Sequence, residues 1–384
     1  MKILLVHNDY AKYSGEEAVV DKMNSLFQKL GHEVCQLRMT TAGSRDNLKG
    51  KIKGFAAGIH SPKGIKAMKE ILEKEKPDIV NVHNLYPFIS PAALRECKKA
   101  GIPVIMTVHN YRLMCPTGLF MRKNKPCELC LQKGNEWGCI KYNCEKSILK
   151  SVGYAARNAV ARSRKHYLEC VDMFACLTDF QRRKLLEAGF PKEKLTVIPN
   201  SVTKKEKSSE DENYVAYAGR LSEEKGINLI LEVAKRNPNI NFKFAGSLNI
   251  NDPELTNSLK ELKNIQLLGH LSGEELEDFY RKASFFVMAS LCYEGFPMAI
   301  LEAGRYGKPF VAPNHGGFTE IIDGIGILFK PGDADSLEEA VVSLWNDKEK
   351  IKDLGEKTYN KISTEYSENK VASDWNKLIC KLLN

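Results

Sequence analysis

The sequence predicts an α/β protein built from two Rossmann-like, doubly wound domains that face each other across a cleft. Three observations lead to this prediction. The chain has 384 residues, which corresponds to two or three domains of roughly 100–200 residues each. Short apolar runs alternate with amphipathic helical patterns, as they do in parallel α/β sheets. This alternation occurs twice, on either side of a polar segment at residues 203–213.

The first series of elements starts at the N-terminus. Residues 3–7 form an apolar run that predicts a strand, and Ser14-Gly15-Glu16-Glu17 fits a capping box that begins a helix. An apolar stripe follows, and Gly31 ends that helix. Further strands are predicted at residues 33–37, 79–83, 104–109, 171–177 and 195–198, and further helices at 91–100 and 179–188.

The second series starts after residues 203–213, a stretch without apolar side chains that predicts an exposed linker or loop. We therefore predict a first domain at residues 1–200 and a second domain from residue 201. Pro297 and Gly307 mark the ends of one helix of the second domain. Its other predicted elements are strands at 214–218, 241–245, 264–268, 284–289 and 309–312, helices after Glu223 and at 273–282, and a helical C-terminal region.

The composition is that of an ordinary globular protein, with 43% hydrophobic and 27% charged residues, which excludes disordered and collagen-like chains. The N-terminal residues lack the apolar core of a secretory signal, and no window reaches the ~18 apolar residues of a membrane span. We therefore expect a cytoplasmic protein with reduced cysteines. The formal net charge of +9 is compatible with an anionic partner such as phosphate, an anionic lipid surface or nucleic acid.

Residues 289–303 are the most informative segment, because they combine a strand end, a tight turn and a helix begun by proline. Ligands of parallel α/β sheets bind at such carboxyl ends of strands. The backbone N–H groups of residues 295–298 lie at the start of the predicted helix, where they suit a phosphate or a hydroxyl-rich group. Glu294 and Glu302 lie about two helical turns, or ~10 Å, apart, so one carboxylate would meet a sugar and the other a ribose diol.

This segment resembles a known family signature. Glu294-x7-Glu302 with Gly295-Phe296-Pro297 is similar to the motif of the retaining glycosyltransferases of family 4, also called glycosyl transferases group 1, which have the GT-B fold. The resemblance covers nearly the whole chain. The other matching segments are Tyr217-Ala218-Gly219-Arg220-Leu221, Glu224-Lys225-Gly226, Gly316-Gly317-x-x-Glu320, Pro199-Asn200-Ser201-Val202 and Thr107-Val108-His109-Asn110.

The resemblance implies transfer of a sugar from a UDP- or GDP-linked donor to a hydroxyl of a glycan or lipid-linked acceptor, with retention of configuration. It implies work in bacterial surface polysaccharide synthesis, by an enzyme of the hexosyltransferase type (EC 2.4). The first domain would bind the acceptor and the second the nucleotide sugar. Relatives return their last helix to the first domain, so residues 367–384 are assigned to that helix and residues 201–366 to the second domain.

The resemblance also implies roles for single residues. Arg220 and Lys225 would hold the donor diphosphate and stabilise the charge that grows on the leaving group. His109 would hydrogen-bond the donor sugar beside the reacting carbon. The other donor contacts would come from Gly15, Glu294, Gly295, Phe296, Pro297, Met298 and Glu302.

The implied mechanism is a front-face displacement in which the leaving diphosphate oxygen assists deprotonation of the acceptor hydroxyl. Glu294 would orient the donor sugar and would not act as a general base. No divalent metal is required for this chemistry in the family. The loop after the first strand departs from the family pattern, because many members have a Gly-Gly pair where this chain has Ser14-Gly15-Glu16.

A cysteine-rich insertion at about residues 111–147 lies outside the common family pattern. Its Cys-x2-Cys pair has the spacing of a zinc knuckle, and a long loop with little apolar content needs a stabilising link. We predict a structural zinc ion here, with free thiols as the alternative. The predicted ligands are Cys115, Cys127, Cys130 and Cys144, with Cys139 as a replacement for one of them.

The segment from Ile148 to Tyr167 interleaves basic and apolar residues and resembles an amphipathic helix that rests on anionic lipid. An ordinary surface helix is the alternative, since the apolar face is rich in alanine. The lipid interpretation predicts a peripheral location at the inner face of the cell membrane.

Parts of the sequence also suggest two other functions. Nucleotide-sugar epimerases share the GT-B architecture, but they rely on acid and base side chains that have no clear position here. A zinc-stapled nucleic-acid-binding protein would leave Glu294, Glu302, Arg220 and Lys225 without a role, and the basic residues form no aromatic-laced stripe. We therefore expect no nucleic-acid partner.

Overall fold

The computed structural model describes residues 1–11, 13–42, 48–247, 257, 259 and 261–383. The chain forms two compact units. The first unit comprises Met1–Leu119, Glu128–Asn200 and Val371–Asn384, and the second comprises Phe120–Cys127 and Ser201–Lys370. Each unit contains one large parallel sheet. No helix among the described residues is long and apolar enough to cross a membrane.

The strands of the described residues are numbered in chain order. They are β1 Lys2–Asp9, β2 Glu33–Thr40, β3 Ile79–Val82, β4 Val104–Val108, β5 Met121–Arg122, β6 Lys125–Pro126, β7 Met173–Cys176, β8 Leu195–Val197, β9 Val215–Ala218, β10 Phe242–Ala245, β11 Ile265–Gly269, β12 Phe285–Val287, β13 Phe310–Pro313 and β14 Gly326–Phe329.

The helices fill the connections between these strands. In the first unit they are Gly15–Lys29, Leu48–Ile59, Pro62–Glu75, Leu94–Lys99, Leu129–Gln132, Trp137–Lys141, Ile148–Ser163, His166–Cys170 and Asp179–Glu187. In the second unit they are Ile227–Arg236, Gly273–Lys282, Met298–Gly304, Phe318–Ile321, Ala334–Trp345 and Lys348–Glu365, and the last helix is Glu368–Leu383.

Both large sheets are parallel throughout, with the order β2-β1-β3-β4-β7-β8 in the first unit and β11-β10-β9-β12-β13-β14 in the second. This confirms the prediction of two Rossmann-like α/β domains. The strand order reverses between β1 and β3 in the first sheet and between β9 and β12 in the second. Loops leave such a reversal in opposite directions, so a ligand crevice forms at the carboxyl ends of these strands.

The predicted capping box at the first helix is confirmed. Ser14 is the N-cap residue, and its backbone N–H donates to Glu17 Oε2 at 2.9 Å. The other carboxylate oxygen of Glu17 accepts from the Tyr10 backbone N–H at 2.6 Å. Glu17 is therefore buried by hydrogen bonds that join the loop after β1 to the start of the helix.

Apolar faces bury the helices of each unit on its sheet. In the second unit the predicted stripe of Ala334–Trp345 is buried beside the strand residues Phe242 and Phe244. In the first unit the last helix places Trp375 edge-on against Phe27, with ring centroids 5.6 Å apart. Trp375 is among the largest fully buried side chains of the described residues. The sequence-distant last helix thus completes the core of the first unit.

One glycine lets two loops of the second unit meet. Gly226 has φ +70°, and a Cβ atom there would lie 1.9 Å from the Ala289 carbonyl oxygen. The contact joins the loop after β9 to the end of β12, and a hydrogen bond from Leu291 N to Glu224 O (2.9 Å) lies beside it. Only glycine allows both this backbone angle and this approach.

We predict that Gly226→Ala destabilises the second unit by at least about 3 kcal/mol, because the new methyl group meets a backbone oxygen and the backbone is left-handed. Gly324→Ala is the matched control, since Gly324 has φ +74° and no atom within 4 Å of its Cβ position. It should cost only about 1 kcal/mol. Calorimetric unfolding measures both, and equal losses would contradict the steric explanation.

Candidate active site

The candidate site of the second unit is formed by loops that follow β9 and β12, where the strand order reverses. Glu294 Oε1 accepts hydrogen bonds from Lys225 Nζ at 2.5 Å and from Ser290 Oγ at 2.6 Å. The side chains of Lys225 and Glu294 are 22% and 13% exposed. The structure therefore brings two predicted site residues into one largely buried ion pair.

Both groups of this pair are held in their charged forms. Burial by itself would raise the pKa of Glu294, but the Lys225 ammonium and the hydrogen bonds from Lys225 and Ser290 outweigh it and lower that pKa. Burial would likewise lower the pKa of Lys225, but the Glu294 carboxylate reverses the shift and raises it. The carboxylate is therefore ionised at neutral pH and accepts hydrogen bonds.

The second predicted diphosphate ligand lies in a different environment. Arg220 is 65% exposed, and its Nη2 lies 3.1 Å from Glu224 Oε1 in a pair four residues apart. Water screens the exposed guanidinium of this pair, although Glu224 itself is only 18% exposed. Arg220 is thus available to an incoming anion, whereas one N–H donor of Lys225 is already used by Glu294.

The predicted helix after Glu294 is shorter than expected. It spans Met298–Gly304, and Pro297 occupies the N-cap position instead of the first helical position. Glu302 lies near its end, and its Oε2 accepts a hydrogen bond from the Tyr280 hydroxyl at 2.8 Å. A ribose diol bound at Glu302 would therefore share this carboxylate with Tyr280.

Sequence reasoning missed Ser290, Tyr293 and His315 in this site. Ser290 supports Glu294, and its carbonyl oxygen lies 2.8 Å from His315 Nε2. The His315 ring stands edge-on to Tyr293, at 5.5 Å between centroids. Gly316 has φ +61°, and its Cβ position lies 3.3 Å from the Tyr293 ring. The position of His315 directly before the Gly316-Gly317 motif is the signal that could have identified it.

The candidate site of the first unit contains a pair of histidines that follow neighbouring strands. His83 follows β3 and His109 follows β4, and His83 Nδ1 lies 2.7 Å from His109 Nε2. The rings are stacked, with centroids 5.0 Å apart. Burial lowers the pKa of His109 to about 4 and holds that of His83 well below its ordinary value. Both rings are neutral at pH 7, and one of them donates to the other.

A polar cluster around the Glu16 carboxylate lies next to this pair, and the sequence did not predict it. Glu16 Oε1 accepts from Asn110 Nδ2 at 2.7 Å, and its Oε2 accepts from the Tyr10 hydroxyl at 2.8 Å. Arg112 Nη1 in turn donates to the Tyr10 hydroxyl at 3.0 Å. Burial would raise the pKa of Glu16, but His109, Arg112 and the two hydrogen bonds outweigh it and lower that pKa.

Gly15 precedes this cluster at the start of the first helix. No atom lies within 4 Å of its Cβ position, so the space beside its Cα is open. The predicted close approach of a ligand to this backbone stays a prediction. A pocket of the same unit is lined by His83, Asn84, Tyr86, His109, Asn110 and Arg112 among others. The cavity has a volume of about 20 Å³, which is enough for about one water molecule or one hydroxyl group.

The cysteines of the insertion are divided between the two units. Cys127 belongs to the second unit, whereas Cys115, Cys130, Cys139 and Cys144 belong to the first. The pKa of the Cys139 thiol is raised by a hydrogen bond with Cys144, by burial and by neighbouring thiols. Among the described residues of the first unit, no three of its four cysteines from this segment have donor atoms within 4.8 Å of one another. Zinc binding by this segment stays a prediction.

One other group of potential metal ligands occurs among the described residues. His7, Asp9 and Glu17 have donor atoms within 4.8 Å of one another. Arg38 already bonds Asp9, at 2.8 Å from Nη2 to Oδ1. The capping box uses both oxygens of Glu17. These carboxylates are therefore occupied within the fold.

The two Rossmann-like units place the protein in the GT-B fold class. Similar solved structures include a sucrose-phosphate synthase of Thermosynechococcus elongatus, with a TM-score of 0.73, 15% identity, and coverage of 99% of this chain and 98% of that one. HepE of Anabaena in complex with UDP and glucose gives a TM-score of 0.68 at 15% identity, with 99% and 100% coverage.

Two family models place the chain more closely. The model described as Glycosyltransferase Family 4 matches residues 13–205, and the one described as Glycosyl transferases group 1 matches residues 200–361. The chain belongs to glycosyltransferase family 4, and the protein is a glycosyltransferase.

Curated relatives agree with this assignment. An uncharacterized glycosyltransferase of Methanocaldococcus jannaschii is 29% identical over 315 residues, which are 80% of this chain and 75% of that protein. The alpha-galactosylglucosyldiacylglycerol synthase of Streptococcus pneumoniae is 28% identical over 215 residues, or 50% of this chain and 56% of that one. An O-antigen biosynthesis glycosyltransferase of Escherichia coli is 26% identical over 207 residues, or 52% and 55%.

We predict that Glu294→Gln destabilises the second unit by about 3 kcal/mol, because it leaves the Lys225 ammonium buried without a counter-charge. Glu224→Gln is the matched control in the exposed Arg220 pair and should cost at most about 1 kcal/mol. Adding Lys225→Met to Glu294→Gln should restore part of the loss. Chemical denaturation of the parent, Glu294→Gln, Lys225→Met, their double variant and Glu224→Gln measures the coupling, and simple additivity of the two single losses would contradict it.

We also predict a pH effect from the histidine pair. Their pKa values are lowered in the folded chain, so between about pH 4 and 6.5 the unfolded chain binds protons that the folded chain excludes. The free energy of unfolding should therefore fall as the pH falls through this range. His109→Asn should make the fall shallower than in the parent, because the variant lacks one of the two titrating rings. Thermal melts from pH 7 to 4.5 measure these slopes, and equal slopes would refute the explanation.

Proposed function

We propose that this glycosyltransferase moves a sugar from a nucleotide-sugar donor to a hydroxyl of a glycan or lipid-linked acceptor, with retention of anomeric configuration. The observation that carries the proposal is the buried Lys225–Glu294 pair at the strand-order reversal of the second unit. Structures of Anabaena HepE, which share this fold, are complexes with UDP, with UDP and glucose, and with UDP-glucose. The donor in our proposal is UDP- or GDP-linked.

In this proposal, the second unit binds the donor. The exposed Arg220 guanidinium exchanges Glu224 for the diphosphate, because a fork of N–H donors matches phosphate oxygens. Lys225 has three N–H donors, so it bonds a phosphate oxygen while it still holds Glu294. The Glu302 carboxylate accepts hydrogen bonds from the ribose hydroxyls as well as from the Tyr280 hydroxyl.

The chemistry is a front-face displacement. The bond between the anomeric carbon and the diphosphate oxygen breaks, the acceptor oxygen bonds to the same face of that carbon, and the leaving diphosphate takes the acceptor proton. Glu294 is ionised, so it accepts hydrogen bonds from the donor sugar and supplies no proton. Rate enhancement then comes from positioning and from stabilising the leaving charge, with no divalent metal required.

In this proposal, the first unit binds the molecule that accepts the sugar. The ionised Glu16 and the Arg112 guanidinium offer an acceptor and donors to hydroxyls of the sugar acceptor, and the neutral His109 hydrogen-bonds the donor sugar beside the reacting carbon. Relatives named for glycolipid and O-antigen synthesis support a lipid-linked or glycan acceptor in bacterial surface polysaccharide synthesis. The epimerase alternative receives no support from the comparisons.

The first test is a thermal-shift panel with UDP-, GDP-, ADP- and TDP-sugars, with and without EDTA. We expect one nucleotide class to raise the melting temperature, since a ligand of the folded state stabilises by RT ln(1 + [L]/Kd). Glu302→Gln should reduce this shift and weaken the apparent affinity for the nucleotide sugar at least tenfold, because the ribose loses a charge-assisted hydrogen bond. Glu338→Gln, in an ion pair with Arg236, is the control that should keep it.

The donor identified in this way is then given a hydroxyl acceptor, and the anomeric configuration of the product is read by NMR. Glu294→Gln should lower the transfer rate by a factor of about 100 or more. An inverted product would refute retention. No stabilisation by any nucleotide sugar would refute the donor site, and a requirement for a divalent cation would refute the metal-free mechanism.

A further inference from the structure

Exposed large hydrophobic side chains are concentrated in one short part of the chain. Among the described residues, nine such side chains are exposed, and five of them lie within residues 137–152. They are Trp137 at 66%, Tyr142 at 42%, Ile148 at 53%, Leu149 at 78% and Val152 at 43% exposure. We name this set, with the lysines between its members, the 137–152 surface.

Packing inside the first unit explains why these residues point outward. The helices Trp137–Lys141 and Ile148–Ser163 pack together through their inner sides, where Cys139 and Ser151 are buried. Cys139 Sγ lies 3.8 Å from the Ser151 carbonyl oxygen. Ile148, Leu149 and Val152 share an arc of about 100° on the longer helix, away from Ser151. The outward apolar arc is therefore fixed by a packed inner face.

The structure corrects which basic residues are available beside this arc. Arg157 is buried, 4.0 Å above the Tyr154 ring and 4.4 Å above the Tyr86 ring, and it donates to the Pro116 carbonyl oxygen at 2.8 Å. His166 is also buried, and Arg162 pairs with Glu136 at 2.8 Å. Arg157 and His166 are thus taken up inside the first unit, whereas Lys150, Arg162, Arg164 and Lys165 lie on its surface.

Positive charge also lies between the exposed apolar residues. Lys141, Lys146 and Lys150 are all exposed, and residues 137–152 contain three lysines and one glutamate, or 3 − 1 = +2. Lys141 Nζ lies 5.5 Å from the centroid of the Tyr142 ring. Tryptophan and tyrosine with flanking lysines are typical of residues that sit at the boundary between lipid headgroups and acyl chains.

We propose that the 137–152 surface docks the first unit on a bilayer of anionic phospholipid. Trp137, Leu149 and their exposed neighbours enter the headgroup and upper acyl region, and the lysines stay at the level of the lipid phosphates. The positive charge selects the bilayer over a neutral apolar partner, because anionic headgroups attract each lysine near the surface. This inference goes beyond sugar transfer, since vesicle binding needs neither donor nor acceptor.

The test is flotation of the full chain with vesicles of phosphatidylcholine alone and with 30% phosphatidylglycerol, at low and high salt. We expect binding to the anionic vesicles and its loss at high salt, since salt screens the lysines. Leu149→Ser should weaken binding about tenfold, because the serine loses the apolar contact with acyl chains. Lys150→Gln should weaken it about fivefold through the lost charge.

Matched controls keep the outcome interpretable. Leu186→Ser removes an exposed leucine, at 41% exposure, from another helix of the first unit and should bind like the parent. Lys66→Gln removes an exposed lysine from the helix Pro62–Glu75 and should also bind like the parent. Circular dichroism checks that each variant is folded. Equal binding to neutral vesicles, equal effects of Leu149→Ser and Leu186→Ser, or a dimer that Leu149→Ser dissociates would each overturn the proposal. Nucleotide-induced thermal shifts are measured on the same variants and stay unchanged if the donor site is independent.

Discussion

An ammonium group that leaves water needs a carboxylate beside it, and in the second unit this requirement joins two loops that are far apart in the chain. Lys225 follows β9 and Glu294 follows β12, and each keeps the other charged. The strand-order reversal opens the space between the loops, and Gly226 lets one of them reach the backbone of Ala289. Topology, glycine and charge pair are therefore parts of one arrangement, which also leaves Arg220 exposed on the same loop.

The first unit keeps its polar groups out of water in a different way. His83 and His109 are neutral and share one hydrogen bond. Glu16, close by, stays ionised because Tyr10 and Asn110 donate to its two oxygens. A neutral donor–acceptor pair beside the Glu16 carboxylate and the Arg112 guanidinium provides varied hydrogen-bonding partners whose charges balance, which suits recognition of an uncharged polyhydroxylated molecule.

The sequence was most informative where the signal is local. Alternation of apolar runs and helical stripes predicted both sheets, and a strand end indicated Glu294, whereas Lys225 and the role of His109 came from the family resemblance. Contacts between distant residues were not predictable in this way: Glu16 meets Asn110, 94 residues away, and Arg157 is covered by Tyr86. The helix Pro62–Glu75 was missed although Ser61 caps it and proline begins it, a signal that reading for apolar stripes alone overlooks.

The contact between Trp375 and Phe27 has a consequence for the order in which the chain folds. The residues that complete the first core follow the entire second unit in the sequence. During synthesis from the N-terminus, the second unit therefore emerges before the last helix of the first. Phe27 is left without its final cover for most of translation, so a nascent chain exposes an apolar site that the finished protein hides, and chaperones that recognise such sites have a long interval in which to act.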